Sequence, residues 1–202
     1  MVITSKENET IKHIKKLKEK KYREEYREFI IEGSKMIEEA IRENANIKSV
    51  IICDDCKNQC AISNELMYEI AKKKCIYVDE KIFNTITDVI NPQGIMAIVE
   101  KENNKEQKID YSQDVFLILD NIQDPGNMGT ILRTASAFEI DGIVLYGDTV
   151  DLYNPKCVRS TVGCLWKTPV IKVENFKELK NIGKKENFDV FIQSSSKLQD
   201  NT

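Results

Sequence analysis

An α/β fold in two successive units is predicted by three features of the 202-residue sequence. Apolar residues recur three and four apart in some stretches and gather in short β-branched runs in others. The two patterns alternate, as they do where helices layer on a sheet. The alternation stops once, at residues 101–113 (KENNKEQKIDYSQ), a polar segment without apolar periodicity that reads as a linker. It then restarts more cleanly, which divides the chain into residues 1–100 and 114–202. With 41% apolar and 31% charged residues, the chain has the composition of a folded core rather than of a disordered segment.

In the first unit, residues 8–20 carry Ile11, Ile14 and Leu17 at helical spacing. Phe29, Ile30 and Ile31 make a short apolar strand, and Gly33-Ser34 opens a helix with Met36, Ile37, Ala40 and Ile41 on one side. A strand at 48–53, a helix at 63–73, a strand at 76–78, a short helix from Asp79 and a strand at 95–99 complete it. Strand and helix in alternation predict mostly parallel pairing.

In the second unit, residues 115–119 (VFLIL) read as a fully buried strand and residues 126–138 as a helix, with Met128, Ile131, Leu132, Ala135 and Phe138 as its packing stripe. A strand follows at 142–146. Asn154-Pro155 supplies an N-cap and a proline at the first helical position. A strand at 169–173 leads to Asn175-x-x-Glu178, which has capping-box spacing, and the last strand is predicted at 188–192. Phe116 and Trp166 read as core aromatics.

The net charge of −3 does not by itself mark a nucleic-acid binder. Its distribution says more. Lys12, Lys15, Lys16, Lys18, Lys20, Lys21 and Arg23 are opposed within their run only by Glu19, and such a run either pairs with phosphates or forms a solvated helical face. Tyr22 and Tyr26 beside it could stack on bases, but their helical spacing favours packing. His13, inside the same run, lacks a Cys or carboxylate constellation and reads as a surface or RNA-facing residue. No apolar run approaches the roughly eighteen residues that span a bilayer, and residues 1–6 (MVITSK) lack the core of a secretory signal. No membrane partner and a cytoplasmic location are therefore expected. Six cysteines in such a chain predict reduced thiols. Cys53 and Cys56 have a zinc-like spacing, but Cys60 and Cys75 do not complete a second tight pair. Cys53 closes the run Val50-Ile51-Ile52 and Cys75 opens Ile76-Tyr77-Val78, so both read as core thiols and no metal is expected.

The most informative stretch runs from Asp120 to Ala135 (DNIQDPGNMGTILRTA). A strand ends, a polar turn with Pro125 and Gly126 intervenes, and a helix begins. In open α/β sheets ligands bind at the carboxyl ends of strands, beside helix N-termini, so the amides of Asn127 and Met128 are expected to face an anion or ribose-phosphate. Thr130 and Arg133 lie off the packing stripe, and a guanidinium beside a helix start suits phosphate recognition, although a surface ion pair would use it equally well. The turn lacks both the P-loop and the dinucleotide-fold glycine patterns.

The segment DNIQDPGNMGTILRTASAFEIDGI resembles the first motif of the SpoU/TrmH RNA ribose 2′-O-methyltransferases, part of the knotted SPOUT superfamily. NPKCVRSTVG (154–163) is similar to the family's second-helix signature. IKHIKKLKEKKYR, FIIEGSKMIEEAI and NPQGIMAIV resemble its N-terminal RNA-binding domain. The resemblance implies a ribosomal-protein-like α/β RNA-binding domain over 1–100 and a SPOUT α/β domain with a mostly parallel sheet over 114–202. It implies methyl transfer from S-adenosylmethionine to a ribose 2′-hydroxyl of ribosomal or transfer RNA, with Asn127 and Arg133 as the catalytic residues. Arg159 is implied as an RNA or donor contact and Glu32 as a domain-ordering or RNA-facing residue. Lys12, Lys15, Lys16, Lys20, Lys21 and Arg23 are candidates for phosphate. Asn121 and Asp124 shape the loop. Because a guanidinium stays protonated in proteins, Arg133 is expected to hold a phosphate and stabilise a developing 2′-oxyanion rather than act as a base.

The family's two downstream motifs, one with Gly-Asn-Glu and one with Ser-Leu-Asn, form the knot, the donor site and much of the dimer interface. Neither occurs in these residues. The expectations that follow are an incomplete SPOUT domain without the knot-forming C-terminus, no S-adenosylmethionine bound by these residues, no methyl transfer by this chain alone, and a largely missing dimer interface. A non-catalytic RNA-binding protein is the alternative reading.

Overall fold

A computed structural model describes residues 2–54, 62–101, 115–175 and 177–178. Cys56, Cys60, the linker beyond Lys101 and the strand predicted at 188–192 lie outside them.

The first sheet is built from β1 (Val2–Ile3), β2 (Glu28–Glu32), β3 (Ile47–Cys53), β4 (Cys75–Val78) and β5 (Ile95–Glu100), in the order β1-β4-β3-β5-β2. Helices α1 (Glu9–Lys16), α2 (Lys20–Tyr26), α3 (Ser34–Arg42), α4 (Asn64–Ala71) and α5 (Glu80–Ile86) connect them. Ser63 and Asp79 cap α4 and α5 by accepting from Leu66 N and Ile82 N. Pairing is parallel for β1/β4 and β3/β4 but antiparallel for β3/β5 and β2/β5, which corrects the mostly parallel expectation. Cys53 N donates to Gly94 O at 2.8 Å, so β5 starts beside the end of β3 and has to run back along it.

Strand β5 is buried on both faces, and its alternation separates two cores. Met96 and Ile98 join Ile51 and Cys53 beneath α1 and α5, where Ile11, Ile14, Leu17, Ile82, Phe83 and Ile86 are buried. Ile95, Ala97 and Val99 join Phe29, Ile31, Val50 and Ile52 beneath α3 and α4. This second core does not stop at the first sheet: Tyr153, Val158 and Leu165 from the far half of the chain are buried in it, with Trp166 packed alongside. At least one fully buried apolar side chain contributes about 1.5–3 kcal/mol, so the shared residues bind the halves strongly.

The helix predicted over 8–20 breaks. Leu17 closes α1 and stays buried, α2 starts after Glu19, and the basic run bends around the corner. Arg23, predicted as a phosphate contact, is instead 2% exposed. Its NH1 donates to the carbonyls of Leu17 at 2.9 Å and Lys18 at 2.7 Å, which lost helical partners at the break. Its Nε and NH2 each lie 2.8 Å from Asp151 Oδ2, 128 residues away.

The second sheet is parallel throughout, as predicted: β6 (Phe116–Asp120), β7 (Gly142–Tyr146) and β8 (Val170–Lys172), in that order. Helix α6 (Pro125–Ala137) links the first two strands, and α7 (Pro155–Thr161) with a 3-10 turn at Cys164–Trp166 links the last two. Met128, Leu132 and Ala135 bury against Leu119, Ile143 and Leu145. Two expectations fail here. Among the described residues β6 is an edge strand, with Val115 and Ile118 exposed and Phe116 half-buried, so it is not a fully buried run. Phe138 closes α6 beyond its buried face and is 77% exposed. The capping contact at Asn175 is present: its Oδ1 accepts from Glu178 N at 2.9 Å.

Candidate nucleic-acid interface

The turn after β6 is shaped by two side chains. Asn121 adopts a left-handed backbone, with φ of 54°. Its Nδ2 donates to Asp120 Oδ1 at 2.7 Å, and its Oδ1 accepts from Asp148 N at 2.8 Å, tying the loops after β6 and β7 together. Gly147 beside it has φ of 71°, and a Cβ there would meet Asn121 Oδ1 at 2.7 Å, so the contact requires glycine. Asp124 caps α6, with Pro125 at the first helical position. Its Oδ1 accepts from Asn127 N at 2.8 Å and its carbonyl from Met128 N at 3.0 Å. The Asn127 amide, seconded by Lys156, holds the Asp124 carboxyl below its ordinary range. The two amides expected to face an anion are therefore already satisfied by Asp124, and the site cannot rest on them.

What the turn leaves open is the solvent side of α6. Thr130, Arg133, Thr134 and Ala137 fall at i, i+3, i+4 and i+7 and line an open hollow with Phe138 and Cys164. The two threonine hydroxyls are turned back into the helix, donating to Gly126 O at 2.9 Å and Thr130 O at 3.0 Å. That leaves the guanidinium of Arg133 as the polar head of the hollow. Asn127 is exposed one turn and a half earlier, about 9 Å along the axis.

Helix α7 crosses α6 at Gly129, where an added Cβ would lie 2.3 Å from Ser160 Cβ and 2.9 Å from Cys157 O. This contact fixes Arg159, next to Ser160, in relation to α6. Asn154 caps α7 by accepting from Lys156 N at 2.9 Å. Arg159 does not share the hollow of Arg133. It lines a small cavity of about 20 Å³ on the seam between the two sheets, with Lys18, Ile30, Glu32, Ile86, Asp88, Pro155 and Val158. Burial pushes the Glu32 carboxyl above its ordinary range, against the pull of the Thr87 hydroxyl that donates to it and of the nearby Arg159. Lys18 is held by Asp88 at 2.7 Å.

The basic run is only partly available. Glu7 and Glu9 flank Lys12 at 3.1 and 3.4 Å and push it above the ordinary lysine range. Lys16 and Lys21 each stand 5.5 Å from the ring centre of Tyr22, forming one cluster. Lys20 is exposed and Lys15 half-buried. Tyr22 and Tyr26 stack on each other at 6.1 Å, as their spacing predicted. His13 does not face outward: its Nε2 sits 2.6 Å from Glu28 Oε2 and its ring against Tyr26, pinning α1 to β2. Cys53 is buried and Cys75 half-buried, and neither is in a disulfide. Among the described residues no cluster of three metal-ligating side chains occurs, and no helix is long and apolar enough to cross a membrane.

Sequence reasoning missed Gln93, Thr87, Asp151 and Lys156. Gln93 Oε1 accepts from Ser34 N at 2.8 Å and so joins the two motifs around Gly33 and Gly94, a link visible only in three dimensions. Of the five arginines, Arg23, Arg27 and Arg42 donate hydrogen bonds. The guanidinium groups of Arg133 and Arg159 have no acceptor among the described residues.

Residues 8–97 match the MRM3-like substrate binding domain, and residues 114–201 match the SpoU rRNA Methylase family. The chain is 35% identical over 170 residues to the 23S rRNA (guanosine(2553)-2′-O)-methyltransferase RlmP of Bacillus subtilis, covering 84% of this chain and 64% of that protein. An rRNA methyltransferase from Sinorhizobium meliloti superposes with a TM-score of 0.77 at 28% identity, over 92% of this chain and 70% of its own. Its AdoMet-bound form gives 0.76 at 28% identity, over 91% and 68%. The chain spans just under two thirds of the length of the curated relatives it matches first.

Proposed function

Because this chain belongs, through its residues 114–201, to the SpoU rRNA methylase family, we propose that it forms the RNA-holding part of a ribosomal RNA ribose 2′-O-methyltransferase. The observation that carries the reading is the state of the arginines. Arg23 is taken up inside the fold and Arg27 and Arg42 by acceptors at its surface, and the two left without acceptors among the described residues stand on α6 and α7, at the positions the family motifs single out. A guanidinium held on a rigid helix and facing water recognises a phosphodiester or a developing oxyanion.

S-adenosylmethionine, when bound by the whole protein, supplies the methyl group. The residues of this chain orient the acceptor. Arg133 holds the phosphate beside the reactive ribose and stabilises charge on the 2′-oxygen, and Asn127 contacts the same nucleotide from the start of α6. The exposed lysines Lys16, Lys20 and Lys21 grip RNA at a distance from the chemistry. Arg159 adds a contact at the seam. The reading places the protein in the cytoplasm, with RNA rather than a membrane as its partner.

The test is to incubate the full-length protein with unmodified 23S rRNA transcript and labelled S-adenosylmethionine, and to identify the labelled nucleoside by mass spectrometry. A 2′-O-methylated nucleoside is expected, with loss in Arg133→Ala and partial activity in Arg133→Lys. Label on a base, or no label at all, would overturn the reading. RNA binding with a salt slope that falls by about 0.7–0.9 for each of Lys16→Ala and Lys21→Ala is expected beside it. If RNA binds and no methyl group is ever transferred, the non-catalytic RNA-binding account takes its place.

A further inference from the structure

Glu32 stands at the end of β2, in the motif FIIEG, yet it faces the other half of the molecule. Thr87 Oγ1 donates to its carboxylate, and the same hydroxyl accepts from Val89 N at 3.0 Å, so Glu32 has a fixed anchor on its own side of the seam. On the opposite wall is Arg159, carried by α7. The cavity between them, at about 20 Å³, has room for roughly one water and excludes a nucleobase or a phosphate. It is therefore not a ligand pocket. The neighbouring cation, Lys18, is already paired with Asp88 at 2.7 Å. Arg159 thus has the half-buried Glu32, the cavity carboxylate not already held by a lysine, as an electrostatic neighbour while forming no ion pair within the described residues.

Two effects of that carboxylate oppose each other. As bare charge, it repels an RNA phosphate and weakens binding. As a charge held in place by Thr87 on the same cavity, it biases the direction of a guanidinium that no hydrogen bond restrains, and so reduces the rotamer freedom that guanidinium loses on binding. A carboxylate kept half out of water at an interface, where burial disfavours its charge, is costly unless the charge does something.

We propose that Glu32 is a positioning residue that acts across the seam through Arg159, aiming the α7 guanidinium at an RNA phosphodiester. The inference rests on the RNA-binding reading above. The N-terminal sheet then contributes to the nucleotide site itself, beyond gripping RNA at a distance.

The sign of one substitution decides it. Equilibrium binding of 23S rRNA transcript is measured for the full-length protein and for Glu32→Gln, Thr87→Val, Arg159→Gln and the double Glu32→Gln/Arg159→Gln, with thermal melting of each. Arg159→Gln is expected to weaken binding about tenfold, the loss of one charge-assisted contact. Glu32→Gln is expected to weaken it about three- to tenfold without lowering the melting temperature, and Thr87→Val in the same direction. The double variant is expected to bind no worse than Arg159→Gln alone. Tighter binding by Glu32→Gln would overturn the proposal, because it would show charge repulsion as the whole effect. Losses that multiply in the double variant would overturn it equally, since Glu32 would then act without Arg159. Failure of the wild-type protein to bind the transcript would instead bring down the RNA-binding reading beneath it.

Discussion

Replacing Arg23 by Ala is expected to destabilise the chain by about 3–5 kcal/mol, the range for removing one partner of a buried ion pair. The side chains of Arg23 and Asp151 are only 2% and 9% exposed. Without the guanidinium, Asp151 keeps a single contact, from Tyr153 N at 3.0 Å, and its second oxygen is left charged and dry. The carbonyls of Leu17 and Lys18 lose their donor at the same time. Water entering the space left behind would hold the loss toward the lower figure. For a chain of this size, each kcal/mol lowers Tm by about 2–4 °C, so a fall of roughly 6–20 °C follows. The assay is urea unfolding of Arg23→Ala, Asp151→Ala and the double variant, with Lys20→Ala from the same basic run as the exposed control, expected within about 0.5 kcal/mol of wild type. The double variant should be clearly more stable than the sum of the two losses predicts, because the pair is coupled. If Arg23→Ala costs no more than Lys20→Ala, or if the two losses simply add, the cross-sheet clamp is refuted.

Gly129→Ala is expected to cost about 1–3 kcal/mol by forcing α6 and α7 apart, and to reduce methyl transfer by the full-length protein more than RNA binding, read by melting and activity together. Burial, with Asp151 nearby, pushes the Cys157 thiol up to about 12, so it should resist iodoacetamide at pH 8 in the folded state and react once urea unfolds the chain. Burial raises the Glu32 carboxyl, so the folded state binds that proton more tightly than the unfolded one. Its contribution to stability then falls as pH rises from the ordinary glutamate range through the raised value, and levels off above it. Glu32→Gln should accordingly melt no lower than wild type at pH 7, and any advantage should shrink on acidification toward pH 4; an advantage that grows on acidification would contradict the assignment.

Much of the architecture was legible because it is written in local periodicity. The apolar run at 95–99, the helix starts at Asp79 and at Asn154-Pro155, and the polar turn at 120–127 each fix a local conformation that the rest of the fold leaves alone. The errors at Arg23 and β5 have a different cause, a partner distant in sequence, whereas the one at Asn127 is local. Arg23 looks like one more cation until Asp151 arrives beside it. The amide of Asn127 looks open until the Asp124 side chain is seen to fill it. The reversal of β5 is decided by where Gly94 meets Cys53, which no pattern within either strand reveals. At the site, residue types and spacing on α6 and α7 were readable, whereas the separation of Arg133 and Arg159 into different hollows was not.

Tyr153, Val158 and Leu165 sit in the core of a sheet whose strands all come from the first hundred residues. A gene fragment ending in the polar stretch at 101–113 would thus be a poor choice for expressing the N-terminal half alone. It would leave the apolar face of β2 uncovered and strip Arg23 of its counterion, and a protein so cut is expected to aggregate during purification. For the same reason the two halves constrain each other's drift: a change in size at Phe29 has to be matched at Tyr153, whose ring centre is 4.6 Å away, so substitutions on either side of the apparent boundary should be inherited as pairs.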